Sequence, residues 1–261
     1  MLGAIAGDII GSYYEFRQLR RKSTDFPLFN PESRFTDDTV MTLAVAKWLL
    51  EDPGHTPEVL VRCMLELGRR YPLAGYGNRF RQWLKADNPQ PIDSFGNGSA
   101  MRVSPVGMYA RTLEQALELA RVSAAVSHNH PEGIRGAQVT AGCVFLARQG
   151  KPKAEIRAFA ESMGYTFERT VAEMRPDYGF DATCQGSVPQ SIQCYLEGED
   201  YEQVIRLAIS MGGDADTMAA IAGAIAAPNG LTGPIADECR KRLTPDLCGI
   251  MDNFERMVSG K

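Results

Sequence analysis

Apolar residues recur at helical spacing along most of this chain. Residues 39–51, from Thr39 to Glu51, are apolar on almost every side, the pattern of a helix buried at the centre of a fold. Pro53 and Gly54 end it. Thr56 and Pro57 open the next helix, with Val59, Leu60, Cys63, Met64 and Leu67 on its inward face. Thr112 and Gln115 stand at capping-box spacing at the start of a helix over 112–125. Leu113, Ala116, Leu117 and Ala120 share one of its faces. Further helices are predicted over 134–148, 152–163, 188–197 and 200–211. The stretch from Thr217 to Ala227 is rich in Ala and Gly, so its neighbours can approach closely, and it belongs at the centre of a bundle. No alternating run of β-branched residues predicts a strand. The expectation is one all-α domain over 1–261, with its polar motifs in the interhelical loops.

Composition changes this picture little. The 44% hydrophobic and 23% charged content is that of an ordinary soluble globular protein, and 261 residues can build one large core. A core of that size favours a monomer. A net charge of -4 with no basic run gives no reason to expect nucleic-acid binding. Cys63, Cys143, Cys184, Cys194, Cys239 and Cys248 occur singly, without zinc-ligand spacing, and read as reduced structural residues. Met1 to Asp8 lacks the basic start of a signal peptide, and no apolar run reaches the ~20 residues of a membrane span. A cytoplasmic protein is expected.

Candidate chemistry concentrates in two short acidic clusters, Thr36-Asp37-Asp38-Thr39 and Asp214-Ala215-Asp216-Thr217. Each pairs carboxylates with a threonine hydroxyl directly before an apolar helical pattern. Asp and Thr are common helix caps, and a carboxylate there also favours the helix dipole. One cap needs only one acceptor, however, and both clusters carry a second acid. Gly212 and Gly213 precede the second cluster and let backbone come close to a ligand. Brought together, these hard oxygen donors suit divalent cations such as magnesium or manganese. Without a cation the carboxylates would repel one another and take up protons.

Three other segments carry polar motifs. Gly96-Asn97-Gly98-Ser99 leads into Met101 and Arg102, and its amides can form a nest for phosphate or hydroxyl oxygens, although Asn-Gly is also an ordinary turn. Arg102 can either pair a ligand phosphate or brace an acidic loop. The run His128-Asn129-His130-Pro131-Glu132-Gly133 holds two of the three histidines. It reads as ligand-binding rather than as a metal pair, with a plain turn as the third option. Glu15 is the sole acid between Asp8 and Asp25, and is either a surface acid or a general base.

Together these segments resemble the ADP-ribosylglycohydrolase family, which includes dinitrogenase reductase-activating glycohydrolase. The resemblance rests on Gly3 to Gly11 with Glu15, Phe35 to Thr39, Gly96 to Arg102, Ser127 to Pro131 and Gly212 to Thr217, in that order. It implies a compact, orthogonal multi-helix bundle with a central binuclear metal cleft. Thr36, Asp37, Asp38, Asp214, Asp216 and Thr217 would hold two Mg2+ or Mn2+ ions. Asp37, Asp38, Asp214 and Asp216 would serve catalysis with Glu15, which matches a mobile glutamate of the family. Gly96, Asn97, Gly98, Ser99, Met101, Arg102, His128, Asn129, His130, Glu132 and Gly133 would bind the substrate. That substrate would be a protein or small molecule conjugated to ADP-ribose. The chain departs from the family pattern at Ala226 to Gly230, a segment expected near the cleft rim. Two rival functions use the same residues: a helical nucleotide-diphosphate phosphohydrolase, and a non-catalytic ADP-ribose binder.

Overall fold

A glycine every fourth position along Leu2–Gly11 makes that segment the spine of the structure, although isolated glycines disfavour a helix by about 1 kcal/mol each. A β-carbon at Gly3 would overlap the Gly223 carbonyl, and one at Gly7 the Ala219 carbonyl. At Gly11 it would lie 2.5 Å from Asp216 Cα. The Leu2–Gly11 helix therefore runs antiparallel to the Ala215–Ala226 helix in near backbone contact, and tertiary packing overrides local propensity. Tyr201 ties the pair to a third helix, donating its hydroxyl to Gly3 O at 2.7 Å.

The computed structural model describes residues 1–15, 20–231 and 233–260, and the regular elements among them are helices. In chain order the helices are α1 (Leu2–Gly11), α2 (Asp37–Glu51), α3 (Pro57–Arg70), α4 (Asn78–Lys85), α5 (Gly98–Met101), α6 (Ser104–Tyr109), α7 (Leu113–Ala125) and α8 (Pro131–Arg148). There follow α9 (Lys153–Ser162), α10 (Val171–Met174), α11 (Cys184–Glu197), α12 (Tyr201–Ser210), α13 (Ala215–Ala226), α14 (Gly233–Lys241) and α15 (Pro245–Ser259). Among the described residues the sole β pairing is an isolated bridge between Gly96 and Thr183. The main apolar cluster draws on residues from Met1 to Phe254 and includes the buried Trp48 of α2 and Ile221 of α13. All six cysteines are free, and Cys248 alone is not fully buried.

Several boundaries differ from the periodicity, each for a local reason. α8 starts at Pro131 because His130 caps it, its ring accepting from Glu132 N at 3.1 Å. α11 starts at Cys184 rather than 188, since Thr183 caps it and Pro189 is accommodated inside. At α7 Thr112 accepts from Gln115 N, but Gln115 returns its bond to Arg111 N instead of closing the capping box. Ala226 to Gly230 lies at the C-terminal end of α13, about 18 Å along the helix from Asp214, so it is not at the cleft rim.

Candidate active site

Both acidic clusters open a helix, and α1 brings the two helix starts together. Thr36 caps α2, accepting from Asp38 N at 3.3 Å, and Asp214 is the cap residue of α13. Asp8, one turn before Gly11, holds the start of α2 through both its oxygens. Its Oδ1 accepts from the Thr36 hydroxyl at 2.7 Å, and its Oδ2 accepts from Thr36 N, Thr39 N and the Thr39 hydroxyl at 2.9, 3.0 and 2.5 Å. Asp37 N donates to Ala74 O at 2.8 Å. The first amides of α2 are thus satisfied without Asp37 or Asp38, whose carboxylates are left free for the cleft. Asp8 was not among the expected site residues, because its partners are about 30 positions away.

The clusters touch directly. The Thr217 hydroxyl donates to Asp38 Oδ2 at 3.1 Å, and Asn97 Nδ2 donates to Asp214 Oδ2 at 2.8 Å. Glu15, Asp214 and Asp216 each offer a carboxylate oxygen within 4.8 Å of the others. These residues line a cavity of about 370 Å³ together with Asp37, Asp38 and Thr217. Ligand sites commonly have a volume of this order. Two helix N-termini face it, and their partial positive charge offsets a little of the acidic charge.

The remaining charge is expressed as proton affinity. Burial, then the neighbouring Asp8, holds the Asp37 carboxyl at about 8. The same two causes push Asp38 well above the ordinary carboxylate range. Asp216 is raised by burial, then by Glu15 and Asp214, and Glu15 by burial, then by Asp214. Asp214 is raised by burial despite the hydrogen bond from Asn97. Burial raises Asp8 to about 6 against the four donors that oppose it. Asp38 Oδ1 is buried without a hydrogen-bond partner, while the Thr217 hydroxyl donates to the other oxygen, Oδ2. An orphaned acceptor among crowded hard oxygens fits a divalent cation.

The expected substrate residues divide. Gly96, Asn97, Gly98, Met101, Arg102 and His128 line the cavity. Ser99, Asn129, His130, Glu132 and Gly133 do not. Ser99 donates to Gly133 O at 2.7 Å, and Asn129 accepts from Asp93 N at 2.7 Å. His130 serves as the α8 cap, and Glu132 pairs with Arg135 at 2.7 Å. His128 and His130 therefore do not form a pair. Thr36 also lies off the cavity wall, its hydroxyl engaged by Asp8.

Two roles differ from expectation. The Gly96 and Asn97 amides are taken up by Ser94 Oγ and Ala182 O, at 3.1 and 2.8 Å, so neither is free to form a nest. Arg102 braces no acidic loop; it is buried and donates to Ser123 O and Ser127 Oγ at 2.5 and 3.0 Å. Asn97 does the bracing instead. Sequence reasoning missed Arg79, Phe80, Ile92, Ser94 and Phe180, which line the wall with Gly75, Gly77, Asn78 and Ala182. Phe80 stacks on Trp83 at 5.2 Å, and an aromatic i, i+3 pair on a short helix was the available signal.

Fold and site together define an all-helical protein with carboxylates from two helix N-termini around one cleft. The family model described as ADP-ribosylglycohydrolase matches residues 1–257, and the chain belongs to that family. A protein of Archaeoglobus fulgidus described as uncharacterized is 30% identical, with 90% of this chain and 87% of that protein aligned. ADP-ribosylhydrolase ARH3 of Homo sapiens is 25% identical, with 87% of this chain and 83% of the relative aligned. A solved structure titled ADP-ribosylglycohydrolase-related protein complex shares the fold, with a TM-score of 0.73 and 24% identity. That match covers 98% of this chain and 97% of the other. No helix among the described residues is long and apolar enough to cross a membrane.

Proposed function

We propose that this protein hydrolyses the glycosidic bond between ADP-ribose and an acceptor, a protein side chain or a small conjugate, with the help of two Mg2+ or Mn2+ ions. The observation that carries the reading is the meeting of Glu15, Asp37, Asp38, Asp214 and Asp216 on one cavity beside a buried, unpartnered Asp38 oxygen. Asp37, Asp38, Asp214, Asp216 and Thr217 would hold the cations, with the Thr36 hydroxyl behind them. When bound, the ions would supply Lewis-acid polarisation of ribose hydroxyls or water and would neutralise the carboxylates.

The chain's own residues do the rest. Asn97 fixes one Asp214 oxygen and the Thr217 hydroxyl fixes one Asp38 oxygen, so both clusters present defined faces. Glu15 is half-buried on the cavity wall, and its carboxylate can take a proton from the attacking water or hold a ribose hydroxyl. Phe80, Ile92 and Met101 offer an apolar wall for a flat base, and Gly96 and Gly98 let the diphosphate come close. A main core without a break supports one domain over the chain, and that domain is proposed to act as a monomer.

Release of free ADP-ribose from arginine-linked and serine-linked conjugates, with either cation and then with chelator, tests the reading. Cation-dependent release from one of them is expected. AMP or ribose phosphate as the product would replace the reading with a phosphohydrolase, and binding without release would replace it with a binder. Asp38→Asn or Asp214→Asn should weaken cation binding and lower turnover by orders of magnitude. Full activity in either variant would remove the metal assignment.

A further inference from the structure

Two buried residues of the cavity wall, Arg102 and His128, are joined through the buried Ser127 into a chain that ends on a ring nitrogen facing the cleft. Arg102, Ser127 and His128 are 1%, 0% and 6% exposed. Arg102 Nη2 lies 3.0 Å from Ser127 Oγ, and Ser127 Oγ lies 2.8 Å from His128 Nδ1. The backbone holds the chain in place: Ser127 N and His128 N both donate to Ala124 O, and Ile92 N donates to Ser127 O.

Proton bookkeeping decides the direction of these bonds. A guanidinium only donates, so Ser127 Oγ must accept from Arg102. The serine has one hydrogen of its own, and His128 Nδ1 is the one acceptor within reach among the described residues. If Nδ1 carried the proton, the serine would receive two donors and its hydrogen would be left buried without an acceptor, which folded interiors avoid. Ser127 therefore donates to Nδ1, and the ring proton sits on Nε2. Burial, then the Arg102 and Arg79 charges, holds the His128 pKa well below its ordinary value and keeps the ring neutral. Arg102 itself is lowered by burial to about 9 and remains charged at neutral pH.

Nε2 faces the glycine loop. A β-carbon at Gly98 would come within 3.0 Å of it, and one at Gly96 within 3.7 Å. The missing side chains keep open the space in front of the ring.

We propose that Arg102 and Ser127 are positioning residues that lock His128 as its Nε2–H tautomer, so that the ring offers a donor, and no lone pair, to a phosphate oxygen of the ligand beside the glycine loop. The charged guanidinium behind the serine polarises the chain and strengthens that donor towards an anion. A proton on Nε2 removes His128 from metal ligation and from general-base work. The identity of the ligand rests on the ADP-ribose reading; the lock itself does not.

Histidine-selective 15N spectra of the metal-free protein near neutral pH test the lock, with His128→Gln assigning the signal among the three histidines. A neutral, Nε2-protonated His128 is expected; an Nδ1-protonated ring or an imidazolium would overturn the proposal. Ser127→Ala should give a mixture of tautomers and, for an even mixture, about twofold weaker ADP-ribose binding by calorimetry, because only the Nε2–H fraction is competent. An unchanged tautomer with unchanged affinity would overturn the positioning role. His128→Gln, whose amide N–H reaches towards the Nε2 position, should bind better than His128→Asn, and this comparison holds even if Ser127→Ala folds poorly. Equal binding by the two would count against the donor. If the wild type shows the Nε2–H ring yet binds no ADP-ribose, the lock stands and the substrate reading falls.

Discussion

The metal-free protein should lose stability as pH rises through neutrality, against the usual course for a protein rich in acids. Asp37 is held at about 8 and Asp8 at about 6, both from an ordinary value of 3.8. A carboxyl whose folded pKa lies above its unfolded value binds more protons when folded. Its stabilisation is fully present at low pH and is lost as pH rises through the folded value. Between about pH 5.5 and 8 the unfolded chain has already ionised Asp37 while the folded chain still holds its proton, at a cost of about 1.4 kcal/mol per pH unit. Asp37 alone then accounts for roughly 3 kcal/mol, and Asp8 adds less than about 1 kcal/mol above pH 5.5. At 2–4 °C per kcal/mol for a chain of this size, Tm should fall by roughly 10 °C between pH 5.5 and 8.5. Asp38, Asp214, Asp216 and Glu15 are raised as well and act in the same direction. Scanning calorimetry of chelator-treated protein measures the slope. Mg2+ or Mn2+ should raise Tm more at pH 8.5 than at 5.5, because protons compete with cations for the carboxylates. A flat Tm across this window, or a full slope retained by Asp37→Asn, would refute the reasoning.

Other perturbations follow from single contacts. Gly7→Ala drives a methyl into the Ala219 carbonyl, which is backbone and cannot swing aside, so a loss of about 2–3 kcal/mol is expected from urea denaturation. An unmoved midpoint would mean that α1 and α13 are not in backbone contact. Asp8→Asn keeps the shape but replaces an acceptor oxygen with a donor, leaving at least one of the four donors unmet at about 1–3 kcal/mol each. That variant should be less stable near pH 7 and should bind Mn2+ more weakly by calorimetry; wild-type values in both would show that Asp8 does not hold α2. Tyr201→Phe removes the hydroxyl bonded to Gly3 O and should cost about 1 kcal/mol, also read by urea denaturation.

Local chemistry in the chain was enough to read both acidic clusters as helix starts, α2 as a buried central helix and α13 as a close-packed one. Caps, prolines and the 3.6-residue period act over a few neighbouring positions, so they are visible in a string of letters. The same range explains what stayed hidden. α1 carries three glycines that argue locally against a helix, and it becomes one because each glycine meets α13 some 200 residues later. Asp8 looks like an acid in an apolar segment until its four donors arrive from the start of α2. Arg102 offered two roles in the sequence, and the bracing of an acidic loop falls away because Ser123 O and Ser127 Oγ take up its guanidinium. The cleft carboxylates were written into the sequence as residue types; their meeting was decided by α1, whose small side chains let two distant helix starts approach one point.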